Sequence, residues 1–380
     1  MKKLLTIAAI ATMLFSCTSK EAQFQKEVNE IIEKNQPVGL ALVAVKDGKV
    51  VCNETFGYKD LENQIPLEKD DIFRIASISK SFTATGIMQL VEQGKLSLDA
   101  DVSELVGFSV RNPKFPETKI TVKMLLSHSS SMNDSNGYFT LNAINPDSSA
   151  TWTKAYNDYE PGTKYEYCNM GYNTLGTILE KVSGERFDKY IVNHILTPLN
   201  VYGGYEVASL DSTKFVKLYE YDAENGTFVH SPAAYAKRTK EIENYVFGKS
   251  TPIFSPTGGM KMSAQDLAKV MRMHMNLGEL DGTRIISSES AQLMQSPVVS
   301  PTDEGDSYGF AIRQSKQLID GVDMIGHTGG AYGVYSSMFW NADRTFGIVV
   351  ITNGCNGKRD HNFMSIHRDA ASCLYKNFIQ

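Results

Sequence analysis

The sequence predicts an α+β protein whose antiparallel sheet is completed by both ends of the chain. Three observations carry this: a hairpin signal near the start, a second near the end, and helical periodicity between them. Residues 38–45 and 50–58 are apolar-rich runs joined by Lys46-Asp47-Gly48-Lys49, and Asp-Gly suits the positive φ values of a tight hairpin turn. Residues 335–340 and 345–352 repeat the pattern around Asn341-Ala342-Asp343-Arg344.

The remaining elements follow in order. Residues 20–34 read as an amphipathic helix with Phe24, Val28, Ile31 and Ile32 inward, ending before Pro37. From Ile78 through Phe82, Ile87, Met88, Leu90 and Val91 the apolar spacing predicts a helix that Gly94 stops. Residues 120–126 and 170–182 carry the same period. Between them lies a long polar loop, residues 127–159, punctuated by Tyr138, Phe139, Trp152, Tyr156 and Tyr159. Loops of that length are more often functional than idle. A hairpin is expected around Asn225-Gly226, then an irregular segment, residues 231–255. Gly258-Gly259 leads into a helix over 264–276, whose Met271, Met273 and Met275 read as core. A last helix is expected over 359–379.

The chain has 380 residues, 42% hydrophobic and 21% charged, with net charge −5. That suffices for one large domain or two lobes. No basic run follows the first residues, so nucleic-acid binding has no support. No apolar stretch of 18 or more residues marks a spanning helix. The start is different: Lys2-Lys3 precede an apolar run from Leu4 to Phe15, as in an export signal. The run ends in Leu14-Phe15-Ser16-Cys17, which resembles the lipobox of bacterial lipoproteins, although Phe15 departs from its usual small residue. Residues 1–17 are therefore expected to be a lipoprotein signal, with Cys17 lipidated. The mature protein would be exported and held on a periplasmic, outer-membrane or cell-surface leaflet by its acyl chains. Cys52, Cys168, Cys355 and Cys373 show no metal-ligand spacing and read as buried free thiols.

Three sites carry possible chemistry. Ser77-x-x-Lys80 opens the helix after Arg74. Residues three apart share a helix face, so a hydroxyl meets an amine that desolvation can discharge, near free N–H groups that favour negative charge. Tyr167 and Asn169, two apart at a loop–helix junction, offer an acid/base hydroxyl and an amide. Gly326-His327-Thr328-Gly329-Gly330, just before the strand at Tyr335, offers N–H groups that a ligand can approach closely. Each has a plainer alternative: a helix start, a half-buried aromatic with an N-cap, and a loop histidine.

Taken in order, Ser77-Ile78-Ser79-Lys80, Tyr167-Cys168-Asn169 and His327-Thr328-Gly329 resemble the three active-site elements of the serine β-lactamase and penicillin-binding-protein superfamily. The match is to its class C β-lactamase, DD-peptidase and family VIII esterase branch, and flanking text such as Glu160-Pro161-Gly162 and Gly258-Gly259 agrees with it. The resemblance implies a β-lactamase/transpeptidase-like fold. An antiparallel sheet lobe (about 22–76 and 256–379) would be flanked by helices, beside a mostly helical lobe (about 77–255). It implies Ser77 as acylated nucleophile, Lys80 as the amine taking its proton and Tyr167 as proton shuttle. Asn169 would orient Lys80 and hold the acyl amide, and His327, Thr328, Gly329 and Gly330 would form the far wall. The oxyanion hole would be the N–H groups of Ser77 and Gly330. No cofactor or metal is implied.

The resemblance also implies a small-molecule or peptide substrate with an amide or ester bond. His327 stands where β-lactamases carry Lys, and a neutral imidazole holds a carboxylate more weakly than an ammonium. That tilts the expectation from an efficient β-lactamase towards a D-Ala-type peptidase or carboxylesterase. Acyl transfer to an alcohol, and a penicillin-binding sensor without turnover, are the competing readings. Ser129-Ser130-Ser131 departs from the family's usual Thr-Ser-Gly, and His128 beside it reads as structural.

Overall fold

The computed structural model describes residues 20–299 and 305–380, so the expected signal and Cys17 lie outside the described residues. A first helix, α1 (20–35), precedes strands β1 (Gly39–Lys46), β2 (Lys49–Asp60) and β3 (Ile65–Pro66). The short strand β4 (Phe73–Arg74) leads to helix α2 (Ser79–Glu92), and helix α3 (Asn169–Ser183) follows the long loop. Two further short strands, β5 (Gly203–Gly204) and β6 (Lys261–Met262), bracket the segment before helix α4 (Ala264–Met275). Strands β7 (Ser307–Tyr308), β8 (Arg313–Ser315), β9 (Met324–Ala331), β10 (Val334–Asn341) and β11 (Phe346–Thr352) precede helix α5 (Ser365–Leu374).

The main sheet has eight strands in the order β7-β8-β9-β10-β11-β1-β2-β3. The N-terminal hairpin thus lies directly beside the C-terminal strands, and β1 pairs antiparallel with β11 from Leu40↔Thr352 to Lys46↔Phe346. The predicted α+β sheet closed by both chain ends is the observed one.

Strands β1 and β11 are buried on both faces, which is why they read as unbroken apolar runs. On β1, Ala41, Val43 and Val45 face the larger core shared with α2, α3 and α4. Leu40, Leu42 and Ala44 face a second core closed by α1 and α5, which supply Phe24, Val28, Ile366 and Leu374. Each such Leu, Val or Ile contributes roughly 1.5–3 kcal/mol by burial.

Helix α2 is buried from Ser79 to Leu90 and is mostly apolar or small on every side, with Lys80 and Gln89 the exceptions. Gly86 lets α3 pack closely, since a Cβ there would stand 2.5 Å from Leu179 Cδ1.

Two expectations need correction. Residues 359–364 do not open a helix; they form a small ladder, Arg359–Asp360 with Phe363–Met364, and α5 starts at Ser365. The His327-Thr328-Gly329-Gly330 stretch is not a loop before a strand but the body of β9, paired with β10 from Met324↔Asn341 to Ala331↔Val334. Glycine-rich strands carry no apolar alternation, so the period-2 signal was missing there.

Candidate active site

Strand β4 delivers the chain into a tight turn, Ala76–Ile78, in which Ala76 takes φ 48°. A left-handed alanine costs on the order of 1 kcal/mol or more, and its surroundings must hold it. Ser79 does so: its hydroxyl donates to Ala76 O at 2.6 Å and accepts from Met260 N at 3.0 Å. Ser77 therefore sits ahead of α2 rather than in its first turn. The expected partnership survives because side chains three apart also align on a 3₁₀ turn.

Lys80 is fully buried, and its Nζ has three oxygen neighbours: Asn169 Oδ1 at 2.8 Å, Thr257 O at 2.9 Å and Ser77 Oγ at 3.2 Å. Burial pushes the amine down to about 7, against the upward pull of Asp134 and Cys168. Two of the three neighbours are carbonyl oxygens, which can only accept. In the neutral amine they take both N–H groups, leaving the lone pair for the Ser77 hydroxyl to donate to. Such an arrangement can let an amine take a proton from a hydroxyl.

The Tyr167 side chain is close enough to Ser77 to feel it electrostatically, and Lys80 Nζ lies 4.7 Å from the centre of its ring. Burial pushes the phenol well above its usual range despite the Ser77 contact, so it keeps its proton. The ring rests on His128 at 4.4 Å between centroids, and His128 Nδ1 accepts from Cys168 N at 3.1 Å. His128 thus props the Tyr167–Asn169 turn, the structural part expected of it.

Asn169 is oriented from behind by a residue the sequence did not single out. Asp134 accepts from Asn169 N at 2.9 Å, Asn169 Nδ2 at 2.8 Å and Met170 N at 2.9 Å. It thereby satisfies free N–H groups at the start of α3, where the N-cap Cys168 offers no side-chain cap. With Nδ2 tied to Asp134, Oδ1 faces Lys80 and also accepts from Thr257 Oγ1 at 2.7 Å. Asp134 lies in the long loop that the sequence marks as functional, but its partners are about 35 residues away and no local spacing reveals them. Thr257 acts partly through its carbonyl, which no side-chain motif encodes.

Strand β9 forms the opposite wall. A Cβ on Gly329 would stand 2.4 Å from Ile75 O, 2.5 Å from Ser336 Oγ and 3.0 Å from Ser77 N. Only glycine lets this strand run against the backbone of the Ser77 turn. Gly330 is exposed beside it and Thr328 is half-buried. His327 is placed differently from expectation. It is only 5% exposed, its Nδ1–H donates to Thr328 O, and its Nε2 takes the Tyr308 hydroxyl at 2.9 Å. Burial, with Lys80 nearby, pushes it down to about 3, so the imidazole is neutral with both nitrogens engaged. It shapes the wall without offering a nitrogen to a substrate carboxylate.

Cys52, Cys168, Cys355 and Cys373 are free and buried. Among the described residues, one acidic trio, Glu68, Asp70 and Asp71, is close enough to hold an ion. Lys59 pairs with Asp71 at 2.7 Å, and Lys214 with Asp70, so those charges are already met by cations.

The family model described as Beta-lactamase matches residues 24–371. The chain belongs to the beta-lactamase family of serine hydrolases. Among curated relatives, protein flp of Staphylococcus aureus (strain MRSA252) is 26% identical over 87% of this chain. The alignment spans 63% of flp, so this chain corresponds to part of that protein's length. Penicillin-binding protein 4 of Amycolatopsis lactamdurans is 27% identical over 88% of this chain and 85% of its own. Among solved structures, the octameric penicillin-binding protein homologue from Pyrococcus abyssi superposes with TM-score 0.73 at 26% identity, covering 93% of this chain and 76% of that one. EstCE1, described as a hydrolase with promiscuous acyltransferase activity, shares the fold (TM-score 0.73, 21% identity, 94% and 100% covered). This beta-lactamase-family chain thus has the antiparallel sheet and helical partner layer expected from its motifs.

Proposed function

We propose that this protein is a hydrolase that forms a covalent acyl-enzyme on Ser77 and cleaves an amide or ester. The observation that carries this is the Lys80 amine: buried, pushed down to about 7, and 3.2 Å from Ser77 Oγ, with its other contacts set by two carbonyl oxygens. In the first step the Ser77 proton passes to Lys80 Nζ while Oγ bonds to the substrate carbonyl carbon. The N–H groups of Ser77 and Gly330 face the resulting oxyanion. Collapse breaks the bond to the leaving group, which takes a proton relayed through Lys80 and the neutral Tyr167 phenol. Water then attacks the ester by the reverse relay, regenerating Ser77 and releasing the acid.

The substrate is a D-Ala-type peptide or a carboxylic ester before a β-lactam. Supporting this, His327 has both nitrogens engaged and carries no charge with which to hold a lactam carboxylate. Intact-protein mass spectrometry during turnover of p-nitrophenyl esters, a D-Ala-D-Ala peptide and a cephalosporin tests both points. An acyl adduct on Ser77 that decays with product release is the expected result; undiminished turnover by Ser77→Ala would overturn the reading. Added alcohol in the same assay shows whether the acyl group goes to water or to an acceptor.

We further propose export and membrane anchoring through lipidated Cys17, supported by the Leu14-Phe15-Ser16-Cys17 sequence. Detergent-phase partitioning lost in Cys17→Ser is the expected outcome, and unchanged partitioning would refute it.

A further inference from the structure

Beside the Ser77 turn, strands β4 and β6 place two basic side chains directly opposite each other, Arg74↔Lys261, in an antiparallel ladder. Directly opposite residues project to one face with Cβ atoms roughly 5 Å apart, and like charges there repel. Both line a cavity of about 380 Å³, with Lys237 and Arg238 also on its wall. Neither Arg74 nor Lys261 has an ion-pair partner among the described residues. Lys261 is 3% exposed, and its amine donates to a single neutral acceptor, Tyr205 O, at 2.5 Å. Arg74 donates to Ala234 O at 3.2 Å, while its Nε is buried with no hydrogen-bond partner.

The carboxylates on the cavity wall are already engaged. Glu206 is held by Arg186 at 2.8 Å and Lys189 at 3.1 Å, and Glu241 by Arg238 at 3.2 Å. Burial and the facing Arg74 push the Lys261 amine well below its usual range, and an anion in the cavity would favour the charged form of this pair. The cavity is also close to the chemistry. Arg74 is three residues from Ser77, a span of at most about 11 Å. The Arg74 guanidinium also lies 5.0 Å from the ring of Tyr332, two residues beyond Gly330.

We propose that Arg74 and Lys261 form an anion subsite for a carboxylate carried on the acyl portion of the substrate, which rests on the acyl-enzyme reading above. The preferred substrates are then monoesters or monoamides of a dicarboxylic acid, with the free carboxylate several carbons from the reacting carbonyl.

Two measurements test this, one without catalysis. Calorimetric titration of the full chain with glutarate should show binding that weakens about tenfold or more in Lys261→Met and returns in Lys261→Arg. Among p-nitrophenyl esters, the glutarate monoester should exceed the butyrate ester in kcat/KM, and the ratio should fall about tenfold or more in Lys261→Met. Absence of glutarate binding, or binding and ester preference unaffected by Lys261→Met, overturns the subsite. Glutarate binding without any acyl adduct on Ser77 leaves the subsite standing and defeats the acyl-enzyme reading instead.

Discussion

Lys80 and Lys261 are both buried lysines, yet their surroundings differ in kind. Around Lys80 the protein supplies two carbonyl acceptors and a hydroxyl, so a neutral amine has a place for each hydrogen and for its lone pair. Around Lys261 it supplies one carbonyl and, across the ladder, the Arg74 side chain. Burial lowers both amines, but only at Lys80 is the neutral form completed by its neighbours. Depressed basicity alone therefore does not mark a catalytic amine. What surrounds the nitrogen decides whether it moves a proton or waits for a counter-charge.

The comparison can be broken most strongly at Lys80. Lys80→Met should lower kcat/KM for ester cleavage by about 10³-fold or more, in the range of a lost general base. Fluorophosphonate labelling of Ser77 should fall with it, while the circular-dichroism spectrum stays that of a folded chain. A smaller but still large effect is expected from Gly329→Ala, whose methyl would meet Ile75 O, Ser336 Oγ and Ser77 N. It should displace β9 from the Ser77 turn and cost about tenfold or more in acylation rate. Gly330→Ala, with its nearest neighbour Tyr335 Cδ1 at 3.5 Å, should be milder, and equal losses for the two would contradict the close-approach argument.

Asp134→Asn sharpens the same contrast. The new amide would point a donor at Asn169 or Met170, so Asn169 should lose its fixed orientation and α3 its capping charge. A stability loss of about 1–3 kcal/mol in urea titration is expected, with a fall in kcat larger than any rise in KM.

Stability against pH gives the subtlest effect. Lys80 is lowered in the fold from 10.5 to about 7, so between those values the unfolded chain binds the extra proton. The wild type should lose up to a few kcal/mol as pH falls through that window, with the full penalty present below about 7. Lys80→Met should lack this component, as denaturation at pH 7 and 10 would show.

Much of this was legible in the sequence, for physical reasons. The two hairpins were visible because β1 and β11 are buried on both faces and their turns need Gly or Asp. Ser77, Lys80, Tyr167 and Asn169 were found as candidates because each pair is close along the chain. What the structure adds is their meeting in space. Asp134 was not legible: its three hydrogen bonds reach a helix about 35 residues on. Thr257 was missed because a carbonyl has no residue type. Strand β9 carries no strand signal because Gly329 answers to the close approach of the Ser77 turn rather than to strand propensity. The Arg74–Lys261 opposition depends on register between segments nearly 190 residues apart.

The central claim is that Lys80 is the base for Ser77 and becomes neutral near pH 7. Its most direct test is the rate of fluorophosphonate labelling at Ser77 as a function of pH. The rate should rise with pH to a plateau through a midpoint of about 7, and that rise should vanish in Lys80→Met. A profile flat from pH 6 to 9, or a midpoint near the ordinary lysine value, would contradict the account.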